Sequence, residues 1–359
     1  MTSGMNNPPP QTHARLRTWL AIGYALFIVY ASLSPFYGWR NQGLAFGDVL
    51  NMRFALTYTA FDAVVNLLSY LPLGFLVALT MRARFGTSAS VIFALCSGIL
   101  LSVCMEYLQM YLPTRISSNT DLLSNGSGTL IGALLAVSIT SRPRLYTRMT
   151  HWRSTLFRHG REVDFGLALL ALWIFGQINP SLPMLGHVFI SKVAQQPFVI
   201  LPPVPFDWWV SGAVTLNLLM LGTLMLTLLH IPRNAATVLL VVLSGVALAK
   251  FIAAAVLLKS WALLLWINSE AMLGMMLGMV LLLTVLGLSR SALLVVGSIT
   301  AAAYIVLVNF AMDANAPSDA ASVYHWHYGH LLNYNGLAQT ISLIFPLLLI
   351  FHLWRIRKV

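Results

Sequence analysis

The sequence predicts an all-α, polytopic helical membrane protein of about ten transmembrane helices with both termini cytoplasmic. Three observations carry this reading. Of 359 residues, 58% are hydrophobic and only 9% are charged, against roughly 25% charged in an ordinary soluble domain. So few charges cannot cover a water-soluble surface. Second, ten apolar segments fall at about 16–34, 62–81, 88–112, 121–140, 165–180, 208–229, 235–257, 260–286, 291–311 and 334–354, most near the roughly 20 residues that span a bilayer. Third, the basic residues alternate with those segments. With a cytoplasmic N-terminus, inside connections hold 15 of the 21 Lys and Arg and outside connections hold 5, while Lys250 lies within a span. That split follows the positive-inside rule. The net charge of +11 is thus an orientation signal. The bases form no single patch, so no nucleic acid is expected as a partner. The expected location is the cell inner (cytoplasmic) membrane.

The elements follow in order. Residues 1–15 form a cytoplasmic N-terminus whose Pro- and Asn-rich stretch Met1–His13 is expected to be disordered. Arg15 and Arg17 then precede an apolar run that is long for a signal peptide and lacks a clear cleavage site, so it reads as an uncleaved first span. Residues 16–140 make a four-span domain. Residues 141–163 form a basic linker with six Arg, suited to anionic lipid or to a cytoplasmic partner. Residues 164–359 make a six-span domain with no recognisable repeat of the first four. Its outer connection Asn179–Trp209 carries six prolines and reads as an interfacial loop, with a short amphipathic helix around Val188–Ala194. Trp208 and Trp209 read as an interface anchor. The boundary between segments 7 and 8 is marked by little more than Lys259. Cys96 and Cys104 stand about 12 Å apart along a helix, too far for a disulfide, and no cysteine metal motif exists.

The chemistry-bearing pattern lies between residues 62 and 132. Asp62 and Asn66 are i,i+4 and share a helix face. Glu106 and Gln109, at i,i+3, share another, and Asp121 and Asn125 repeat the i,i+4 spacing. Gly128 and Gly132 form a small-xxx-small face for close helix packing. Alternation of the spans brings all three polar pairs to the outer side. Glu106 lies seven residues before Pro113, roughly 10 Å deep by helix rise. A carboxylate there is costly unless paired, protonated or hydrated. Arg115 supplies a planar fork for phosphate or carboxylate. Two readings stay open. One is an interhelical structural network in which Arg115 and Asp121 neutralise one another. The other is a ligand pocket facing the outer leaflet, formed by Asp62, Asn66, Glu106, Gln109, Arg115, Asp121 and Asn125. In the second, Glu106 or Asp62 is the candidate general acid or base.

These residues resemble the VanZ-like family over roughly residues 20–140. The family pattern appears as Asp62, Leu73-Gly74, Ser102, Glu106, Gln109, Pro113-Thr114-Arg115, Asp121, Asn125, Gly128 and Gly132. Ala63 and Asn66 stand where many members carry Lys and His. The resemblance implies an integral membrane protein of the cell envelope, linked in the family's prototype to lower glycopeptide susceptibility and thus to antibiotic resistance.

Lys250 and Glu270 fall within segments 7 and 8, where ionisable groups are functional candidates. Their depths from the turn at Lys259 nearly match, which predicts a salt bridge. His325, His327 and His330 sit among Trp326, Tyr324 and Tyr328, and read as an aromatic interface belt before a metal site. No metal and no cofactor is expected. Met272, Met275, Met276 and Met279 read as a packing face. The leading expectation is that the protein binds a membrane lipid or a lipid-linked substrate at the outer leaflet. The six-span domain would complete the groove or dock a membrane-protein partner. The competing expectations are a membrane enzyme acting on a lipid-linked substrate, and a transporter using Lys250 and Glu270.

Overall fold

The computed structural model describes residues 11–34, 36–51, 56–113, 115, 117–187, 205–231, 234–312 and 329–357. It is 81% helical, and no strand occurs among the described residues. The helices are α1 (Gln11–Leu33), α2 (Phe46–Leu50), α3 (Leu56–Gln109), α4 (Asn119–Thr140), α5 (Pro143–Leu156), α6 (Arg161–Gln177), α7 (Trp208–Leu228), α8 (Ala235–Leu257), α9 (Ser269–Leu286), α10 (Arg290–Phe310) and α11 (Gly329–Arg357). Each of the ten apolar segments has most of its length on one of them. Among the described residues, eight candidate spans satisfy length and hydropathy. Two facts close the gap to ten: α3 contains two segments, and α6 has 17 residues. Residues Val188–Ala194, His325 and His327 lie outside the described residues, as do Met1–Pro10. The side chains of Asp62 and His330 are likewise outside them.

The chain divides into two compact units, Met1–Ser154 and Thr155–Val359. In the first, α3 is broken at Gly86 (φ 78, ψ −172), a conformation essentially reserved for glycine. The chain doubles back there. Gly74 and Gly98, each twelve residues from Gly86, both abut Thr129 of α4. α4 packs along both arms. A methyl group at Gly128 would overlap the Leu67 carbonyl oxygen, and one at Gly132 the Leu71 carbonyl oxygen. The two glycines thus let the α4 backbone touch the α3 backbone, as small-xxx-small spacing permits. At the end where α1 begins and α4 finishes, Arg17 donates to the Leu79 carbonyl at 3.3 Å and to the Tyr146 hydroxyl at 2.8 Å. Arg82 donates to the Val137 carbonyl at 2.8 Å and to the Thr140 hydroxyl.

The second unit is organised around α7. Its sequence WWVSGAVTLNLLMLGTLMLTL is apolar on all sides, the pattern of a helix with no lipid face. Its apolar window is 89% buried, against 22% for α8. α9, α10 and α6 pack against it, and α11 packs on α6 and α10. Small groups allow the closest approaches, since Gly274 abuts the Ser211 carbonyl and Val214.

Two expectations are corrected in this unit. The first nine residues of the segment 260–286 do not join the long helix. Ser260–Ala262 is a short 3₁₀ turn, and α9 starts at Ser269 because the Asn268 side chain caps it, accepting from Ala271 N at 2.9 Å. The proline-rich stretch after α6 is not a surface loop at its start. Asn179, Ser181, Leu185 and His187 are all fully buried. Non-helical backbone at such depth survives only when protein groups satisfy it. Here Asn217 Nδ2 donates to the Leu185 carbonyl at 2.9 Å, Gln177 Oε1 accepts from Leu185 N at 3.1 Å, and Gln339 Nε2 donates to the His187 carbonyl at 3.3 Å.

Candidate functional site

Glu106, Gln109, Arg115 and Asp121 lie where α1 and α3 end and α4 begins. Glu106 stands one turn before the end of α3 and is 3% exposed. Its Oε2 accepts the Ser118 N–H at 2.9 Å. Ser118 is also the N-cap of α4, its hydroxyl accepting from Thr120 N at 3.1 Å. The Ser117 hydroxyl donates to the Glu106 carbonyl oxygen at 2.8 Å. The carboxylate therefore lies at the positive end of the α4 dipole, where negative charge is stabilised.

Arg115 does the converse for α1. It is buried, and its Nη2 donates to the Ala31 carbonyl at 2.6 Å and the Ser34 carbonyl at 3.3 Å. Gln109 Nε2 adds a bond to the Ser32 carbonyl at 3.0 Å. These are the carbonyls that an α-helix leaves open at its last turn, so the cation sits at the negative end of the α1 dipole. Burial lowers the Arg115 pKa from its ordinary value, and the nearby Glu106 carboxylate opposes that shift. Asp121, half-buried in the first turn of α4, also acts electrostatically on Glu106. Three of the predicted site residues thus serve helix ends, in a form more specific than simple charge neutralisation.

Deeper along the same faces lies a second group. Asn125 Nδ2 donates to the Ser102 hydroxyl at 2.9 Å. Asn125 Oδ1, in a side chain 4% exposed, has no hydrogen-bond partner within the protein. The Tyr70 hydroxyl lies beside Ser102 but outside hydrogen-bonding geometry, and it too is buried without a partner. Buried polar atoms in native proteins are bonded in the large majority of cases. This donor and this acceptor therefore mark the place with capacity left to hold something polar. Asn66 is half-buried on α3. It stands twenty residues before Gly86 and Glu106 twenty after it, so the hairpin sets the two at one level. Asp62 lies one turn further out on α3.

Tyr70 is the residue that the spacing analysis missed. It extends the stripe Asp62, Asn66 by another four residues, and that periodicity was the available signal. Ser117 and Ser118 were missed as well; a serine before an apolar helical run is an N-cap signature.

Lys250 and Glu270 are not brought together. Lys250, 1% exposed, donates to the Gln177 carbonyl at 2.9 Å and to the Asn179 carbonyl. Glu270 lies in the first turn of α9 and accepts from the Ser269 hydroxyl at 2.9 Å. The expected salt bridge fails because α9 begins nine residues later than the apolar run. That places Glu270 near the helix start instead of at the depth of Lys250.

The VanZ/LLP1 family model matches residues 8–140. No curated protein and no solved structure matches the chain. The matched stretch contains Tyr70 and every residue described above around Glu106 and Arg115, and it stops short of the six helices α6–α11. The chain is therefore a multi-pass helical membrane protein whose N-terminal region, residues 8–140, is VanZ-like.

Proposed function

We propose that the first unit binds the polar headgroup of an amphiphile, either a membrane lipid or a lipid-linked envelope precursor. The site lies in the leaflet where α4 begins, the outer one by the distribution of basic residues. The carrying observation is the pair of buried, unpartnered atoms Tyr70 Oη and Asn125 Oδ1. Glu106 holds the start of α4, and Gln109 and Arg115 hold the end of α1, and these two helix ends frame the site. Asn66 and Asp121 supply polar groups on its approach, and Asp62, one helical turn beyond Asn66 in the chain, belongs to the same proposed set. The role fits envelope lipid or glycan handling, with altered glycopeptide susceptibility as the phenotype to examine. The inner membrane of the cell is its proposed location.

The test is native mass spectrometry of the purified protein with lipid identification, for wild type and Tyr70→Phe. That substitution removes a buried hydroxyl beside Ser102 that meets no protein group in hydrogen-bonding geometry. A retained amphiphile in the wild type, bound about fivefold or more weakly in the variant, is the expected result. Equal retention, together with a higher melting temperature for the variant, would mean that the hydroxyl was merely a buried penalty, and the proposal would fail. Glu106→Gln separates the enzyme reading. The amide oxygen still accepts the Ser118 N–H, so binding persists. If Glu106 is an acid or base, turnover of a lipid-linked substrate disappears.

A further inference from the structure

α5 is unlike every other long helix in the chain. None of its residues is buried. Leu145, Met149 and Trp152 are 39%, 55% and 60% exposed. At about 100° per residue they fall within a sector of roughly 60°. Arg144 and Arg148 flank that sector on one side and Arg153 on the other, with the Arg148 guanidinium 5.6 Å from the Trp152 ring centroid. Opposite the sector stand Thr147, Thr150 and Ser154, whose hydroxyls are spent on the helix's own carbonyls: Pro143 at 2.7 Å, Tyr146 at 3.0 Å and His151 at 2.8 Å. The polar face therefore offers little to a partner, and the apolar face with its arginine borders offers a great deal.

The level of the helix is also set. α5 follows α4 after Ser141 and Arg142, and Arg17, near the start of α1, donates to the Tyr146 hydroxyl and lies 5.9 Å over its ring. α5 thus begins where two spans of the same unit meet the bilayer boundary. A short helix with an apolar wedge bearing Trp, bordered by long cationic side chains that can reach headgroups, has the chemistry of an interfacial helix.

We infer that α5 lies in the headgroup layer of the leaflet at this end and binds anionic phospholipid. The three apolar side chains enter the acyl boundary, and Arg144 and Arg148 contact phosphates along one border of the sector. The occupant is a lipid surface because α5 begins at the bilayer boundary, where acyl chains and anionic headgroups meet the apolar sector and its Arg144 and Arg148 border at once. This inference is independent of the headgroup site around Tyr70 and concerns the opposite end of the unit.

The test uses the full chain with Cys96 and Cys104, both exposed, replaced by serine. A nitroxide is attached at Met149→Cys, at Leu145→Cys or, on the polar face, at Ser154→Cys. The protein is reconstituted in bilayers of phosphatidylcholine alone or mixed equally with phosphatidylglycerol. In the mixed bilayer, labels at 145 and 149 are expected to collide with dissolved oxygen in preference to an aqueous nickel chelate, and the label at 154 to show the reverse. Replacing Arg144 and Arg148 with glutamine should shift the labels at 145 and 149 toward nickel, with about fivefold weaker partitioning per arginine. No α5 residue is buried, so these variants leave the core intact. Identical accessibility in the two bilayers, or labels at 145 and 149 open to nickel in both, would overturn the inference. So would labels shielded from both reagents, because the occupant would then be a protein.

Discussion

Gly132→Ala is expected to lower the melting temperature of the detergent-purified protein by roughly 6–12 °C. The added methyl group would overlap the Leu71 carbonyl oxygen, with the Phe75 backbone nitrogen 2.8 Å away. Neither obstacle can swing aside as a flexible side chain would, so α4 has to retreat from α3 along a whole turn. Overpacking costs typically 1–3 kcal/mol, and collision with rigid α3 backbone puts this case at about 3 kcal/mol. The gain in helix propensity, about 1 kcal/mol for Gly→Ala, is too small to offset it. Gly23→Ala, on α1 with nothing within 4 Å of the new methyl group, carries only that gain and should melt at or slightly above wild type. Equal melting of the two variants would show that α3 and α4 do not approach at this position.

A comparable loss is expected in the second unit for Asn217→Leu. Asn217 Oδ1 accepts the Trp173 indole N–H at 2.8 Å, and its Nδ2 donates to the Leu185 carbonyl at 2.9 Å. All three residues are buried. Leucine fills nearly the same volume, so the main change is one donor and one acceptor left unpaired, each worth about 1–3 kcal/mol. The sum, about 2–6 kcal/mol, is a large part of the 5–15 kcal/mol that ordinarily holds a protein folded. Leu185 adds to the cost. Its φ of 63° lies in the left-handed region, unfavourable for leucine by about 1–2 kcal/mol, and the bond from Asn217 is one of two that hold it there. Asn309→Leu is the control, because Asn309 is exposed and bonds only its own helix. Thermal unfolding should separate the two variants clearly; coincident curves would remove Asn217 as the anchor of the buried loop.

Much of this molecule can be read from local sequence because a bilayer makes hydropathy nearly sufficient. Most of every apolar segment is α-helical, since no other open backbone arrangement satisfies its hydrogen bonds in lipid. Gly128 and Gly132 were legible from spacing alone, and so was the convergence of the Glu106, Asp121 and Asn125 faces. What escaped was set by groups distant in the chain. The stretch after α6 reads as surface loop from its prolines, yet Asn217, Lys250 and Gln339 reach in from three other helices to satisfy it. Glu270 was placed too deep because a run of apolar residues does not reveal where its helix starts; the signal was the capping residue Asn268. The roles of Glu106 and Arg115 were only half visible. Their charge and depth were plain, but which helix end each one serves depends on how the chain folds back.

That fold-back works as a ruler with its zero at Gly86. Each arm of α3 is graduated in steps of about 1.5 Å and 100°. Tyr70 and Ser102 share the sixteenth mark, and Asn66 and Glu106 the twentieth. A single residue inserted between Gly74 and Gly86 would move every mark on the first arm and none on the second. Tyr70 would turn about 100° away from Ser102, while Glu106 kept its hold on α4. Each polar residue could survive intact and the site would still be lost. The spacing from this one glycine is therefore as much a part of the chemistry as the side chains themselves.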